Sequence, residues 1–68
     1  MEIIKEKIVG GQKYALMVAK NGNYSLHIGY GSTDDYRMFE SFGKDLERAM
    51  ARYDALEKEY EDYMKKEI

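Results

Sequence analysis

Apolar and polar residues alternate through the first part of the chain and follow a helical spacing in the last part. Ile and Val residues in segment 2–9 favour β structure, and Gly10-Gly11 interrupts it. The pattern predicts strands at about residues 2–9, 12–20, 23–30 and 36–41. Because these strands follow one another with short connections, we expect a three- to four-stranded antiparallel sheet.

The turn at Asn21-Gly22 is the strongest hairpin signal in the chain. A two-residue loop there would pair Met17 with Leu26 and divide the large apolar side chains between the two faces. A three-residue loop from Lys20 to Gly22 gathers them on one face, because a one-residue slip moves a strand's side chains to the other face. We therefore predict the three-residue loop, with Gly22 in the left-handed conformation. Its pairs would be Val18–Tyr24, Leu16–Leu26 and Tyr14–Ile28.

An apolar stripe at alternating spacings of three and four predicts one long C-terminal helix at about residues 44–66. Asp45 and Glu47 would lie in its first turn, where acidic side chains suit the helix dipole. A helix of about 34 Å would outrun strands of about 27 Å. The predicted fold class is α+β, with the helix packed on one face of the sheet. The stripe contains Leu46, Ala49, Tyr53, Leu56, Tyr60 and Tyr63, with Met50 and Met64 beside it.

Length and composition limit the kind of domain. The 68 residues suffice for a single domain, and a chain this short buries only about 60% of its unfolded surface. It has no Cys, so disulfides and thiolate zinc sites are excluded, and a partner or a second copy is the expected source of extra stability. The N-terminus is too short and charged for a signal peptide, and no apolar run spans a membrane. We expect a cytoplasmic protein.

Tyrosine and methionine residues near the end of the helix are the first candidate site. Tyrosine is favoured at interfaces because its ring is apolar and its tip polar. The candidate partner-binding residues are Tyr53, Tyr60, Tyr63 and Met64, and a core role is the alternative for Tyr53. They predict docking on another protein, or a homodimer.

The uncovered face of the sheet is the second candidate site. We expect Lys13, His27 and Arg37 there, together with Lys5, Lys7 and Met17. Such a face is normally solvated, but its basic residues could contact a nucleic acid. The net charge of −2 and the acidic excess in the helix disfavour binding to a phosphate backbone.

Residues with possible chemistry do not form a recognisable catalytic or metal motif. His27 is the only conventional general base, and no nucleophile pattern accompanies it. Gly29 to Thr33 resembles part of a phosphate loop but leads into a strand rather than a helix. Asp34-Asp35 offers only two adjacent acids to a cation. We therefore predict no enzymatic activity, no cofactor and no metal.

From Tyr14 to about Tyr53 the order of features resembles the WGR domain. That family has a Tyr-x-Leu, turn, Gly-x-Tyr-x-Leu hairpin, a Trp-Gly-Arg strand, and a Phe-x-Ser element opening a helix with Ala in its second turn. The chain has no Trp, and Ser32 stands where that Arg would follow, so the resemblance implies the strand and helix order rather than a nucleic-acid role. The counterparts here are Tyr14 to Leu16, Gly22 to Leu26, Gly29 to Gly31, Phe39 to Ser41, and Ala49.

The same order of elements is similar to the DNA-binding domains at the N-termini of some phage and transposon integrases, which use a basic sheet face. In size and composition the chain also resembles phage-encoded inhibitors of host defence such as anti-CRISPR proteins. The leading hypothesis is a non-catalytic protein that docks on another protein and inhibits or regulates it. The alternatives are a nucleic-acid-binding module that uses the sheet, and a nucleotide sponge built around Gly29 to Asp35.

Overall fold

A computed structural model of the chain describes residues 1–29 and 36–66. It contains four antiparallel strands followed by one bent C-terminal helix, so the predicted α+β class is confirmed. The two arms of the helix are named α1 and α2. The elements are β1 (Glu2–Val9), β2 (Gln12–Val18), β3 (Tyr24–Gly29), β4 (Tyr36–Gly43), α1 (Leu46–Asp54) and α2 (Leu56–Lys66).

The sheet is a meander in which each strand pairs with the next, in the order β1-β2-β3-β4. The three-residue loop between β2 and β3 is confirmed, because Val18 pairs with Tyr24 and Leu16 with Leu26. Gly22 has a φ of 89°, and its N–H donates to the Ala19 carbonyl at 2.9 Å. That left-handed glycine closes the turn and sets the register of both central strands.

Strand β4 is longer and less regular than predicted. Its register against β3 shifts twice, which leaves Phe39 and Phe42 as extra residues in the ladder. Phe39 meets the Tyr14 ring edge-on at 6.0 Å between centroids, and Phe42 packs against the core. The two bulges therefore add two aromatic rings to the side of the sheet that faces the helix.

The helix begins later than predicted and is not straight. Asp45 is the N-cap rather than a first-turn residue, and its carboxylate accepts a hydrogen bond from the Arg48 N–H at 3.0 Å. The axis bends at Ala55, between α1 and α2. At this point the Lys7 ammonium of β1 donates to the Tyr53 carbonyl at 2.6 Å. A side chain that bonds to a helix carbonyl is a recognised cause of such a bend.

The core lies between the sheet and α1. Leu16 and Leu26 are fully buried at its centre, and Ala49 of α1 is buried against them. Leu56 is the one buried residue of α2. The rest of α2 therefore contributes little to the core. The buried residues of this cluster are Val9, Leu16, Leu26, Ala49, Tyr53 and Leu56.

Candidate functional site

Two surfaces of the described chain carry exposed apolar side chains and are given names here. The helix tip is the part of α2 that holds Tyr60, Tyr63 and Met64. The open face is the side of the sheet opposite the helix. Its residues follow from the pairing register, because cross-strand partners share a face. They are Ile3, Glu6 and Ile8 of β1, Lys13, Ala15 and Met17 of β2, Ser25 and His27 of β3, and Tyr36, Met38 and Ser41 of β4.

Tyr53 is a core residue and not part of an exposed surface, which agrees with the core role given as its alternative. Its side chain is 5% exposed, and burial raises the pKa of its phenol. The Lys7 ammonium lies 4.0 Å from the centroid of its ring and also pairs with the Glu57 carboxylate at 2.8 Å. Tyr53 thus anchors the bend of the helix to β1.

Tyr60 lies at the end of the sheet, within the expected range near or past its edge. Its ring lies against Gly10 in the turn between β1 and β2, so closely that a Cβ on Gly10 would overlap it. Gly10 has a φ of 58°, which an L side chain rarely adopts. The glycine therefore both shapes the turn and admits the Tyr60 ring, which fixes the first part of the helix tip.

Tyr63 and Met64 lie where the sequence placed them, on the exposed end of the helix. Their exposed fractions are 60% and 46%. They continue the apolar stripe of Leu56 and Tyr60 for a further turn. The structure therefore brings Tyr60, Tyr63 and Met64 together on the helix tip and separates them from Tyr53.

The floor of the open face is buried although no helix covers it. Ala15, Met17, Ser25 and His27 are all at most 7% exposed, and we had expected these residues to be solvated. The Ser25 hydroxyl and the His27 Nε2 are hydrogen-bonded at 2.8 Å. Burial lowers the pKa of His27, so its ring is neutral at pH 7. A neutral, bonded imidazole does not offer a positive charge to a phosphate.

A shallow cavity of about 550 Å³ lies above this floor. On one side the Tyr36 hydroxyl donates to the Glu6 carboxylate at 2.9 Å, and burial and this carboxylate raise the pKa of Tyr36. The Lys13 ammonium lies 5.6 Å from the centroid of the Tyr36 ring. The hydrogen bond between Tyr36 and Glu6 thus joins the two edge strands, β4 and β1, across the open face. Its lining residues are Met1, Ile3, Glu6, Lys13, Met17, His27 and Tyr36.

The predicted nucleic-acid residues are not brought together. Arg37 pairs with Ile28, which lies beside Leu56 and Arg52 on the helix side of the sheet. Lys13 and His27 lie on the open face instead. Lys5 and Lys7 also point to the helix side, since Lys5 pairs with Leu16 and Lys7 contacts the helix. The expected basic face is therefore wrong as a single surface.

An ion-pair network that the sequence analysis missed joins β4 to the helix. Arg52 of α1 contacts the Glu40 carboxylate at 3.1 Å and the Glu59 carboxylate at 2.7 Å. These two acids raise the pKa of Arg52, and the hydrogen bond that Arg52 donates to Glu59 is the largest cause. The spacing of seven between Arg52 and Glu59 is a local signal, but the contact with Glu40 depends on the β4 bulges. This network holds the two arms of the helix to the sheet.

The predicted phosphate loop and the acidic pair Asp34-Asp35 lie outside the described residues, apart from Gly29. Within residues 1–29 and 36–66, no three His, Asp or Glu side chains are placed to hold a metal ion. No helix in this part of the chain is long and apolar enough to cross a membrane. No protein-family model matches the chain, and neither the curated proteins nor the solved structures include one that is significantly similar to it.

Proposed function

We propose that this chain is a non-catalytic binding protein that inserts its helix tip into an apolar groove of another protein and thereby inhibits or regulates it. The observation that carries the proposal is the exposure of Tyr63 and Met64 on the same stripe as the buried Leu56. Apolar anchors at i, i+3 and i+4 are typical of a helix recognised in a hydrophobic groove. Tyr60, Tyr63 and Met64 have this spacing and are exposed.

The remainder of the chain holds the tip in position. Lys7, Tyr53 and Glu57 fix the bend, while Arg52 ties α1 to both Glu40 and Glu59. Tyr60, the first residue of the helix tip, rests on Gly10. A helix that is already formed loses less conformational entropy on binding than a disordered segment does. Docking by such a domain would block a groove from its usual occupant, which is how we propose that it inhibits.

The test uses two variants that leave the core intact. The double substitution Tyr63→Ser and Met64→Ser removes the exposed anchors, and Leu46→Ser is the matched control because Leu46 is 41% exposed on α1. Proteins retained by the tagged wild-type chain are identified by mass spectrometry. The binding of the strongest is then measured by titration calorimetry.

We expect the double variant to bind this target at least about tenfold more weakly, or about 1.4 kcal/mol, and Leu46→Ser to bind like the wild type. Circular dichroism should show equal helix content in all three proteins. Equal affinity of the double variant and the wild type would contradict the proposal. A wild-type chain that shifts a nucleic acid on a gel, with retention falling steeply with salt, would instead favour the nucleic-acid alternative.

A further inference from the structure

The open face carries several large apolar side chains that reach solvent. Ile3 is 45% exposed, Met38 52% and Ile8 72%, and Met1 at 63% borders the face. Four strands of six to eight residues present a footprint of about 450 Å², which includes the polar residues of the face. Apolar side chains grouped on one side of a domain and bordered by polar residues are a feature of surfaces that bind a partner.

The floor of the open face can be covered without leaving an unpaired polar group. Ser25 and His27 satisfy each other, and Ala15 and Met17 carry no hydrogen-bonding group that needs water. Among the described residues, no buried side-chain nitrogen or oxygen lacks a partner. Covering this face with a second apolar surface would thus avoid the cost of a buried unsatisfied donor or acceptor.

The total surface of the chain is also larger than expected. It exposes 5005 Å², whereas a folded monomer of 8.0 kDa exposes about 4,450 Å². The excess of about 550 Å² is close to the 600 Å² or so that each partner buries in the smaller specific interfaces. If a partner covered an area of this size, the remaining exposed surface of the chain would equal that of a compact monomer of the same mass.

The charges at the edge of the face indicate which partner fits. Among the described residues, this face carries one acid, Glu6, and one base, Lys13, and both lie near Tyr36. A strongly acidic or basic partner would require an excess of the opposite charge, which the described part of this face does not have. A second copy related by a two-fold axis requires a surface that is complementary to itself, and an apolar face with balanced charges meets that requirement.

We propose that the open face is the interface of a homodimer, in which the sheets of two copies pack face to face. Ile3, Ile8 and Met38 of each copy would fill the space between the sheets, which lie about 10 Å apart in such packings. The helices would then lie on the two outer sides of the dimer. Each helix tip stays free, so this inference does not depend on the target-binding function proposed above.

The test measures the mass of the protein in solution by sedimentation equilibrium over a range of concentrations. Met38→Lys and Ile8→Lys each place a charge on the open face, at opposite edges of the sheet and at exposed positions that the fold tolerates. Leu46→Lys is the control, because it adds the same charge to an exposed apolar position on α1. Thermal unfolding followed by circular dichroism establishes that each variant is folded.

We expect the wild type and Leu46→Lys to have twice the chain mass of 8.0 kDa, and the two open-face variants to dissociate at least about tenfold more readily. The melting temperature of the wild type should rise with protein concentration, since only the folded chain forms the dimer. A wild type that stays monomeric at about 1 mM would overturn the proposal, as would open-face variants that remain dimeric.

A dimer that is lost on Tyr63→Ser with Met64→Ser, but kept in the open-face variants, would place the interface at the helix tip and would also overturn the proposal. Conversely, weaker target binding by the helix-tip variant with an unchanged dimer would leave both proposals standing. The two proposals can therefore fail separately.

Discussion

The two faces of the sheet bury neighbouring residues by different means. Leu16 and Met17 are adjacent in β2 and point to opposite sides, yet both are buried. Leu16 lies beneath α1, in a closed core with Leu26 and Ala49. Met17 lies at the floor of a cavity that opens to solvent, beside His27. Low exposure alone therefore does not show which side of a thin domain holds it together.

The two faces also differ in how their polar groups are satisfied. On the helix side, Lys7 and Arg52 form contacts between distant elements, which link β1 and β4 to the helix. On the open face, Ser25 bonds to His27 two residues away in the same strand. The helix side is thus joined by ion pairs between the sheet and the helix, whereas polar side chains of the open face bond to one another within the sheet, as Tyr36 does to Glu6.

The largest expected effect separates the two kinds of burial. Leu16→Ala should lower the free energy of unfolding by about 3 kcal/mol, because it removes buried methyl groups and leaves a closed cavity. Met17→Ala should cost about 1.5 kcal/mol, since it widens a cavity that water already reaches and adds little cavity energy. Urea unfolding followed by circular dichroism measures both. Equal losses would show that the open face is as closed in solution as the helix side.

The comparison of Leu16→Ala with Met17→Ala must be free of any effect of dimer formation. Both variants are compared at low concentration, where any association through the open face contributes least. Met38→Ala, at an exposed position of the same face, should change the stability by less than about 0.5 kcal/mol.

A smaller effect tests how Tyr60 of the helix tip is held against the turn between β1 and β2. Gly10→Ala should cost about 2 kcal/mol, because the residue has a positive φ and its new Cβ displaces the Tyr60 ring. Gly11→Ala is a matched control: it also has a positive φ, 81°, but no atom lies within 4 Å of its Cβ, so we expect about 1 kcal/mol. Urea unfolding measures the difference.

The origin of this difference is checked in a chain that carries Tyr60→Ser. Without the ring, Gly10→Ala and Gly11→Ala should cost the same. If Gly10→Ala remains the costlier change, the ring does not rest on the turn in solution.

The smallest expected effect concerns His27 on the open face. Its pKa is lowered by burial from an ordinary value of 6.5, so the unfolded chain binds a proton more readily than the folded one. The contribution of the neutral His27 ring to the free energy of unfolding is therefore fully present above pH 6.5. It is lost as the pH falls through the lowered pKa of His27 in the folded chain. The free energy of unfolding should be smaller at about pH 5.5 than at about pH 7.5. His27→Gln, which cannot titrate, should remove the part of this difference that His27 causes.

A second group titrates at lower pH and does not obscure this test. The hydrogen bond from Lys7 lowers the pKa of Glu57 below its ordinary 4.5, so its contribution is lost only in more acidic solution. If the wild type and His27→Gln lose stability equally between the two pH values, His27 is not buried as a neutral ring.

Local signals in the sequence were sufficient to predict the register of the hairpin formed by β2 and β3. Asn21-Gly22 and the alternation on both sides of it determine the register, which is confirmed residue by residue. The C-terminal helix and its exposed Tyr63 and Met64 also follow from a local pattern of threes and fours. In each case the information lies within a few residues of the structure that it determines.

Features that depend on distant contacts were not predictable from these patterns. The apolar stripe continues past Ala55 without a break, although the helix bends there. The bend lies beside Lys7, which bonds to the Tyr53 carbonyl although the two residues are 46 positions apart in the sequence. The bulges of β4 change which side Arg37 and Phe39 face, and the bulge at Phe39 has no Gly or Pro beside it. The burial of His27 depends on neighbours from other strands, so alternation alone indicated a solvated residue.

The meander order of the strands has a consequence for the rate of folding. Each strand pairs with the one synthesised just before it, so the sheet assembles by closing short loops, and short loops cost the least entropy. The chain has no Pro, so no slow peptide-bond isomerisation at proline delays it. The helix is synthesised after the four strands and closes over one side of a sheet that can already have formed. The other side remains exposed from the first hairpin onward, which favours encounters between chains while they are still being made.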